Sequence, residues 1–222
     1  MFRIKICGLT TVDDALSAVS AGADAIGLNF VPSSPRFIDE ETAERIVLAL
    51  PKEVAKVGVF ANSPSRDVAI CFDRLGLDLI QLHGSEPPAY LAELDGRPVM
   101  KAFRGAETLP QRVADFTGLC LNRACSPRAV LVDAIGGSGQ LGGTGQLADW
   151  NEASKYAGID GLPPLVLAGG LKPENIAAAI RAVRPTAVDT ASGVESSPGR
   201  KDAAKLKSFV IVARETFGQI TV

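Results

Sequence analysis

One histidine, one tryptophan, two tyrosines and four cysteines are present in 222 residues. The lone histidine, His83, excludes a Cys/His zinc cluster of ordinary spacing. Cys7, Cys71, Cys120 and Cys125 form no Cys-x-x-Cys pair. A disulfide framework is not expected either in a chain that is 46% hydrophobic and can bury a proper core. Charge of one sign is also lacking: 23 basic residues stand against 25 acidic ones, for a net charge of -2. No basic cluster is interleaved with aromatics. Neither nucleic acid nor a membrane surface is an expected partner. Apolar runs such as "PPLVLAGGL" are too short to cross a bilayer, and the N-terminus shows no basic region, apolar stretch and small-residue cleavage site in succession. These absences predict a cytoplasmic protein.

What is present is a rhythm. Eight short apolar runs recur: "RIKICGL", "AIGLNF", "AKVGVF", "LIQLHG", "VMKAFR", "AVLVDA", "PLVLAG" and "AVDTAS". Such runs are typical of strands buried on both faces. Between them lie helical patterns. "TVDDALSAVSAG" starts on a threonine cap and stops at Gly22. "DEETAERIVLALP" has an acidic first turn and a closing proline. "SPSRDVAICFDRLG" pairs a serine cap with a proline and ends on glycine, and "KPENIAAAIRAVRP" closes at Pro185. Alternating strands and helices argue for a parallel sheet. The competing doubly wound sheet usually carries G-x-G-x-x-G after its first strand, and "CGLTTVDD" does not provide it. The expected fold is α/β, a single (β/α)8 TIM barrel domain over residues 1–222. The one long glycine-rich stretch, "DAIGGSGQLGGTGQ", follows the sixth strand and reads as a functional or mobile loop rather than a tolerated insertion.

A barrel of this kind places its active site at the C-terminal ends of the strands. The polar residues there are Cys7, Asn29, Gln81 with His83, Arg104, Asp133, and Asp189 with Ser192. "LAGGLKPEN" brings Gly169 and Gly170 to a helix start, and "TASGVESSPG" brings Ser192 and Gly193. Glycines admit close backbone approach and helix N-termini offer free N–H groups, so these two loops are the candidate phosphate site. Cys7 and Asp133 lie on the first and sixth strands, separated by two others the shorter way round, and could face one another across a small substrate. Acid-base work would need a thiolate at Cys7 and a protonated Asp133, two groups pushed in opposite directions. Taken alone, Cys7 also fits a buried small hydrophobe, and Asp133 a cap or a partner of Lys101. Lys5 shares the parity of Cys7 and, if buried, needs a partner, for which Asp189 is the obvious candidate. Arg36, stiffened by "PSSP", could grip a carboxylate or form a surface salt bridge. His83 could as well hydrogen-bond a loop as do chemistry.

Motifs in a fixed order identify the rest. "KICGLT", "GLNFVPSSPRFI", "VGVF", "QLHGSE", "KAF", "LVDA" followed by "GGTG", "LAGGLKPENI" and "VDTASGVESSPGRKD" resemble the phosphoribosylanthranilate isomerase family of tryptophan biosynthesis nearly end to end. The resemblance implies a (β/α)8 barrel that performs an Amadori rearrangement on a small phosphorylated substrate, without metal or cofactor. It implies Cys7 as general base, Asp133 as general acid and Arg36 as the holder of the anthranilate carboxylate. It implies phosphate binding at the two glycine loops, with Gly170, Ser192 and Gly193 as backbone donors, and a monomer or homodimer.

Three places depart from the pattern. Asn29 interrupts an otherwise apolar second strand, and touches either substrate or loop. Ala191 stands where a second serine is common. "IGGSGQL" lengthens the loop before "GGTG". The alternatives are a histidine-pathway aminoaldose isomerase, a lyase or aldolase using Lys5 or Lys101 as a Schiff-base nucleophile, and a non-catalytic phosphometabolite-binding barrel. The first would be expected to carry an aspartate where this chain has Cys7.

Overall fold

The computed structural model describes residues 1–105, 108–133, 150–156 and 159–220. Eight parallel strands close a barrel in sequence order: β1 (Ile4–Cys7), β2 (Ala25–Asn29), β3 (Ala55–Phe60), β4 (Leu79–Leu82), β5 (Val99–Arg104), β6 (Ala129–Asp133), β7 (Leu165–Leu167) and β8 (Ala187–Thr190), with β8 pairing back onto β1. Each falls within one of the eight apolar runs. The helices between and after them are α1 (Val12–Ala21), α2 (Glu40–Ala49), α3 (Ser65–Leu75), α4 (Pro88–Glu93), α5 (Leu109–Leu121), α6 (Trp150–Ser154), α7 (Ile176–Val183) and α8 (Ala203–Ile220). Among the described residues no helix is long and apolar enough to cross a membrane.

Local chemistry explains most of the helix ends. Thr11 caps α1 by accepting from the Asp14 N–H, and Gly22 ends it in the left-handed conformation at φ 102°. Asp39 caps α2 through the Thr42 N–H at 2.8 Å. The serine cap expected for α3 is not formed. Pro64 occupies the cap position, and Ser65, the first helical residue, donates to Glu93 instead. The helix after β7 begins at Ile176, past Pro173, because Asn175 first closes a turn onto the Lys172 N–H.

Side chains alternate across each strand, so two separate cores form. One lies inside the barrel and includes Ala25, Val57, Leu79, Met100, Leu131 and Val166. The other fills the layer between strands and helices, with Ile4, Ile6, Val130, Val132 and Val188 among its members. This parity decides where the charged strand residues go. Lys5 and Cys7 share the inward face, and Lys5 stands in register with Asp189. Lys101 falls between the inward Met100 and Ala102 and points to the helix layer instead. There its ammonium meets Glu86 at 2.9 Å and the carbonyls of Gly84 and Leu82. A Lys101–Asp133 pair is therefore not made; Asp133 is in register with Arg104.

After β8 the chain makes a 3-10 turn over Ser192–Val194 and then a small antiparallel hairpin, β9 (Glu195–Ser197) with β10 (Arg200–Lys201). In the sequence this segment reads as a loop. Two- and three-residue polar strands carry no apolar alternation to betray them.

Candidate active site

One cavity opens at the C-terminal mouth of the barrel. Its walls include Cys7, Asn29, Arg36, Gln81, His83, Asp133, Gly169, Gly170, Asp189 and Ser192. Seven of the eight strands, all but β5, send residues at or just past their C-terminal ends into this cavity, so positions far apart in sequence converge.

Cys7 ends β1 opposite Gly27 of β2, and a Cβ at position 27 would stand 2.6 Å from the Cys7 sulfur. Glycine is what leaves room for the thiol. Behind Cys7 lies Lys5, fully buried and held by Asp189 at 2.9 Å. The expected Lys5–Asp189 pair is present. Burial would lower the Lys5 pKa, but the charges of Asp189 and Cys7 outweigh it and hold it above the ordinary lysine value. Burial pushes the Cys7 thiol up; the Lys5 ammonium pulls against this, Asp189 adds to it, and Lys201 pulls down. The balance lies above an ordinary thiol, with two cations placed to draw it down.

Arg36 is neither a surface ion pair nor wholly open to a ligand. Its Nε and Nη2 donate to the two carboxylate oxygens of Glu195 at 2.8 and 2.6 Å, and the side chain is buried. Among the described residues Nη1 makes no hydrogen bond, and it belongs to a residue that lines the cavity. Glu195 also accepts from Lys201 at 2.9 Å, and Lys201 donates further to the carbonyls of Cys7 (2.7 Å) and Ala191 (3.0 Å). The hairpin thus ties the guanidinium to the backbone of the cysteine. Gly8, at φ 71°, leaves the space over which the Arg36 side chain passes. Glu195 and Lys201 were missed as site residues. Both sit inside the "SGVESSPGRKD" motif, which was the available signal.

The arrangement has an acid-side consequence. Burial pushes the Glu195 carboxyl up, but hydrogen bonds from Arg36 and the charge of Lys201 prevail and hold it below the usual glutamate value. Its contribution is complete above the unfolded glutamate value of about 4.3 and is lost as pH falls through the lower folded one. Glu195→Gln lowers Tm at pH 7 and flattens the fall of Tm with acid between roughly pH 5 and 3, as thermal unfolding across that range will show.

Asn29 shapes the loop. Its Oδ1 accepts from the Val31 N–H at 2.8 Å, its Nδ2 donates to Ser34 Oγ at 3.1 Å, and the same Ser34 Oγ accepts from the Arg36 N–H. It thereby sets the "PSSPR" turn while also lining the cavity. Opposite, His83 Nε2 lies 3.2 Å from Asp133 Oδ2, and His83 Nδ1 lies 2.9 Å from Gln81 Nε2.

The candidate phosphate loops meet beside β7 and β8. Gly169 and Gly170 both adopt positive φ, 88° and 65°. Their N–H groups, with that of Leu171, donate to no acceptor among the described residues. The Leu171 carbonyl accepts from Thr190 Oγ1 at 2.7 Å, and a Cβ at Gly193 would collide with the same carbonyl. Gly193 is needed for that close packing; unlike Gly169, Gly170 and Ser192 it does not line the cavity. A row of unpaired N–H groups in left-handed turns is an anion cradle. The glycine-rich stretch after β6 falls on residues 134–149, outside the described residues.

Known proteins share this architecture. The family model of N-(5'-phosphoribosyl)anthranilate (PRA) isomerase matches residues 4–212. The N-(5'-phosphoribosyl)anthranilate isomerase of Citrifermentans bemidjiense is 46% identical over 217 residues, covering 97% of this chain and 98% of the relative. The crystal structure of phosphoribosyl anthranilate isomerase from Thermotoga maritima superposes with a TM-score of 0.85 at 38% identity, covering 97% of this chain and all of that one. A further structure of such an isomerase, in complex with reduced 1-(o-carboxyphenylamino)-1-deoxyribulose 5-phosphate, has a TM-score of 0.81 at 36% identity, with 97% and 100% coverage. With its barrel and nearly its whole length matched, the chain belongs to the phosphoribosylanthranilate isomerase family.

Proposed function

We propose that this chain converts N-(5-phosphoribosyl)anthranilate into 1-(2-carboxyphenylamino)-1-deoxyribulose 5-phosphate, a step of tryptophan biosynthesis, with Asp133 as general acid and Cys7 as general base. The observation that carries this reading is the convergence on one cavity of a buried thiol, a buried carboxyl, an arginine and two glycine loops. The acid and base come from strands on different sides of the ring, as a reaction across a small sugar requires.

Asp133 gives its proton to the furanose ring oxygen as the bond from that oxygen to C1 breaks. The lone pair of the anthranilate nitrogen closes the C1=N bond. The Cys7 thiolate then takes the proton from C2, and the released electron pair forms C1=C2 while the C=N electrons return to nitrogen. Loss of the O2 proton and gain of one at C1 turn this enolamine into the aminoketone. The substrate nitrogen itself holds the electrons at each stage, and the final proton exchanges restore both side chains. Arg36 receives the anthranilate carboxylate through the edge not used by Glu195, and the Gly169–Leu171 N–H groups with Ser192 receive the phosphate.

The reaction is followed by the loss of anthranilate-type fluorescence from freshly generated phosphoribosylanthranilate. Turnover by the purified chain is the expected result. A folded protein that turns over only the histidine-pathway aminoaldose, or binds product analogue without turnover, would sink the proposal. Arg36→Met raises KM roughly ten- to a hundredfold, the scale of one charge-assisted hydrogen bond. It leaves kcat within about threefold, because Lys201 still holds Glu195 and the Cys7 carbonyl.

A further inference from the structure

The "QLHG" segment at the end of β4 contains two polar atoms that are buried without a hydrogen bond among the described residues: Gln81 Oε1 and His83 Nε2. Gln81 is 1% exposed, and both residues line the cavity. Native proteins rarely leave such atoms unpaired, and those that persist call for a reason. Two positions apart along one strand direction, the side chains project to the same face. Gln81 Nε2 comes within 2.9 Å of His83 Nδ1. An amide nitrogen only donates, so Nδ1 accepts and the ring proton resides on Nε2. That Nε2 stands 3.2 Å from Asp133 Oδ2, close but off the line of a hydrogen bond.

We infer that Gln81 is a positioning residue that selects the Nε2–H tautomer of His83 and so keeps a hydrogen-bond donor beside the carboxyl of Asp133. The inference rests on Asp133 being the general acid. While Asp133 holds its proton it carries no charge, and the misaligned contact stabilises it little. When the proton passes to the ring oxygen, the negative charge left on Asp133 draws the Nε2–H into line. A contact that strengthens only as charge develops lowers the barrier rather than the ground state. The opposite tautomer would present a lone pair to that charge and oppose proton transfer.

His83 is the only histidine in the chain, so labelling with 15N-histidine yields one imidazole spectrum. The ligand-free wild type is expected to show a protonated Nε2 and an unprotonated Nδ1. In Gln81→Met, which has no donor, this tautomer loses its dominance and kcat falls about tenfold or more, with KM within about twofold. In Gln81→Glu the carboxylate accepts from Nδ1, so Nδ1 becomes protonated. A wild type protonated on Nδ1 overturns the inference. So does an unchanged tautomer in both variants, or a changed tautomer with unchanged kcat. The spectra need no substrate, so a failure here leaves the assignment of Asp133 standing. A fully active Asp133→Asn removes that assignment whatever the tautomer.

Discussion

Cys7→Ala loses turnover of phosphoribosylanthranilate by about a hundred- to ten-thousandfold, the range expected when a general base is removed. The protein still folds, because alanine fits the space that Gly27 leaves and the buried Lys5 keeps its hydrogen bond to Asp189. Cys7→Ser, which keeps shape but holds its proton far more tightly, loses most turnover as well. The pH dependence carries a second expectation. Burial holds the Cys7 thiol above its ordinary value in the free protein, against the pull of Lys5 and Lys201. A base must be deprotonated to act, so kcat/KM of the wild type rises with pH through neutrality toward that raised value. The measurement is kcat/KM against pH by fluorescence, wild type and Cys7→Ala side by side. Near-normal turnover in Cys7→Ala would return Cys7 to the role of buried filler.

Asp133→Asn has the second large effect. The amide keeps the volume of the side chain at the end of β6 beside His83, but has no acidic proton for the ring oxygen. Ring opening then depends on water, and kcat falls by about a hundred- to ten-thousandfold while Tm stays near that of the wild type. Single-turnover measurement separates this from a binding defect: substrate still binds, and the slow step is the first chemical one. Asp133→Asn within about threefold of wild-type kcat would mean that another group opens the ring. Because the two residues act at successive proton transfers, the double variant is not expected to lose the product of the single effects.

Much of the barrel was legible because it obeys two periodicities. Strands buried on both faces read as apolar runs, and all eight fall where those runs are. Inward parity, counted along β1, put Lys5 and Cys7 on one face, and the closure of the ring put Asp189 against Lys5. The same count applied to β5 would have sent Lys101 outward, between Met100 and Ala102, toward Glu86 and away from Asp133. The cap of α3 was misread because a serine beside a proline looks like a cap wherever the backbone turns; here Pro64 takes the position.

The residue types at the barrel mouth are set by the sequence alone: a cysteine and an aspartate at the ends of the first and sixth strands, an arginine in a proline-stiffened loop, and glycines after the seventh and eighth. Local patterns carry that much, since each depends on neighbours within a few residues. What holds these groups was decided only by the tertiary structure. Arg36 meets Glu195 across 159 positions, and Lys201 reaches the Cys7 carbonyl across 194. His83 finds Asp133 only once β4 and β6 stand in the same ring. Such pairs follow from barrel closure, which brings together side chains whose separation along the chain holds no trace of their distance in space.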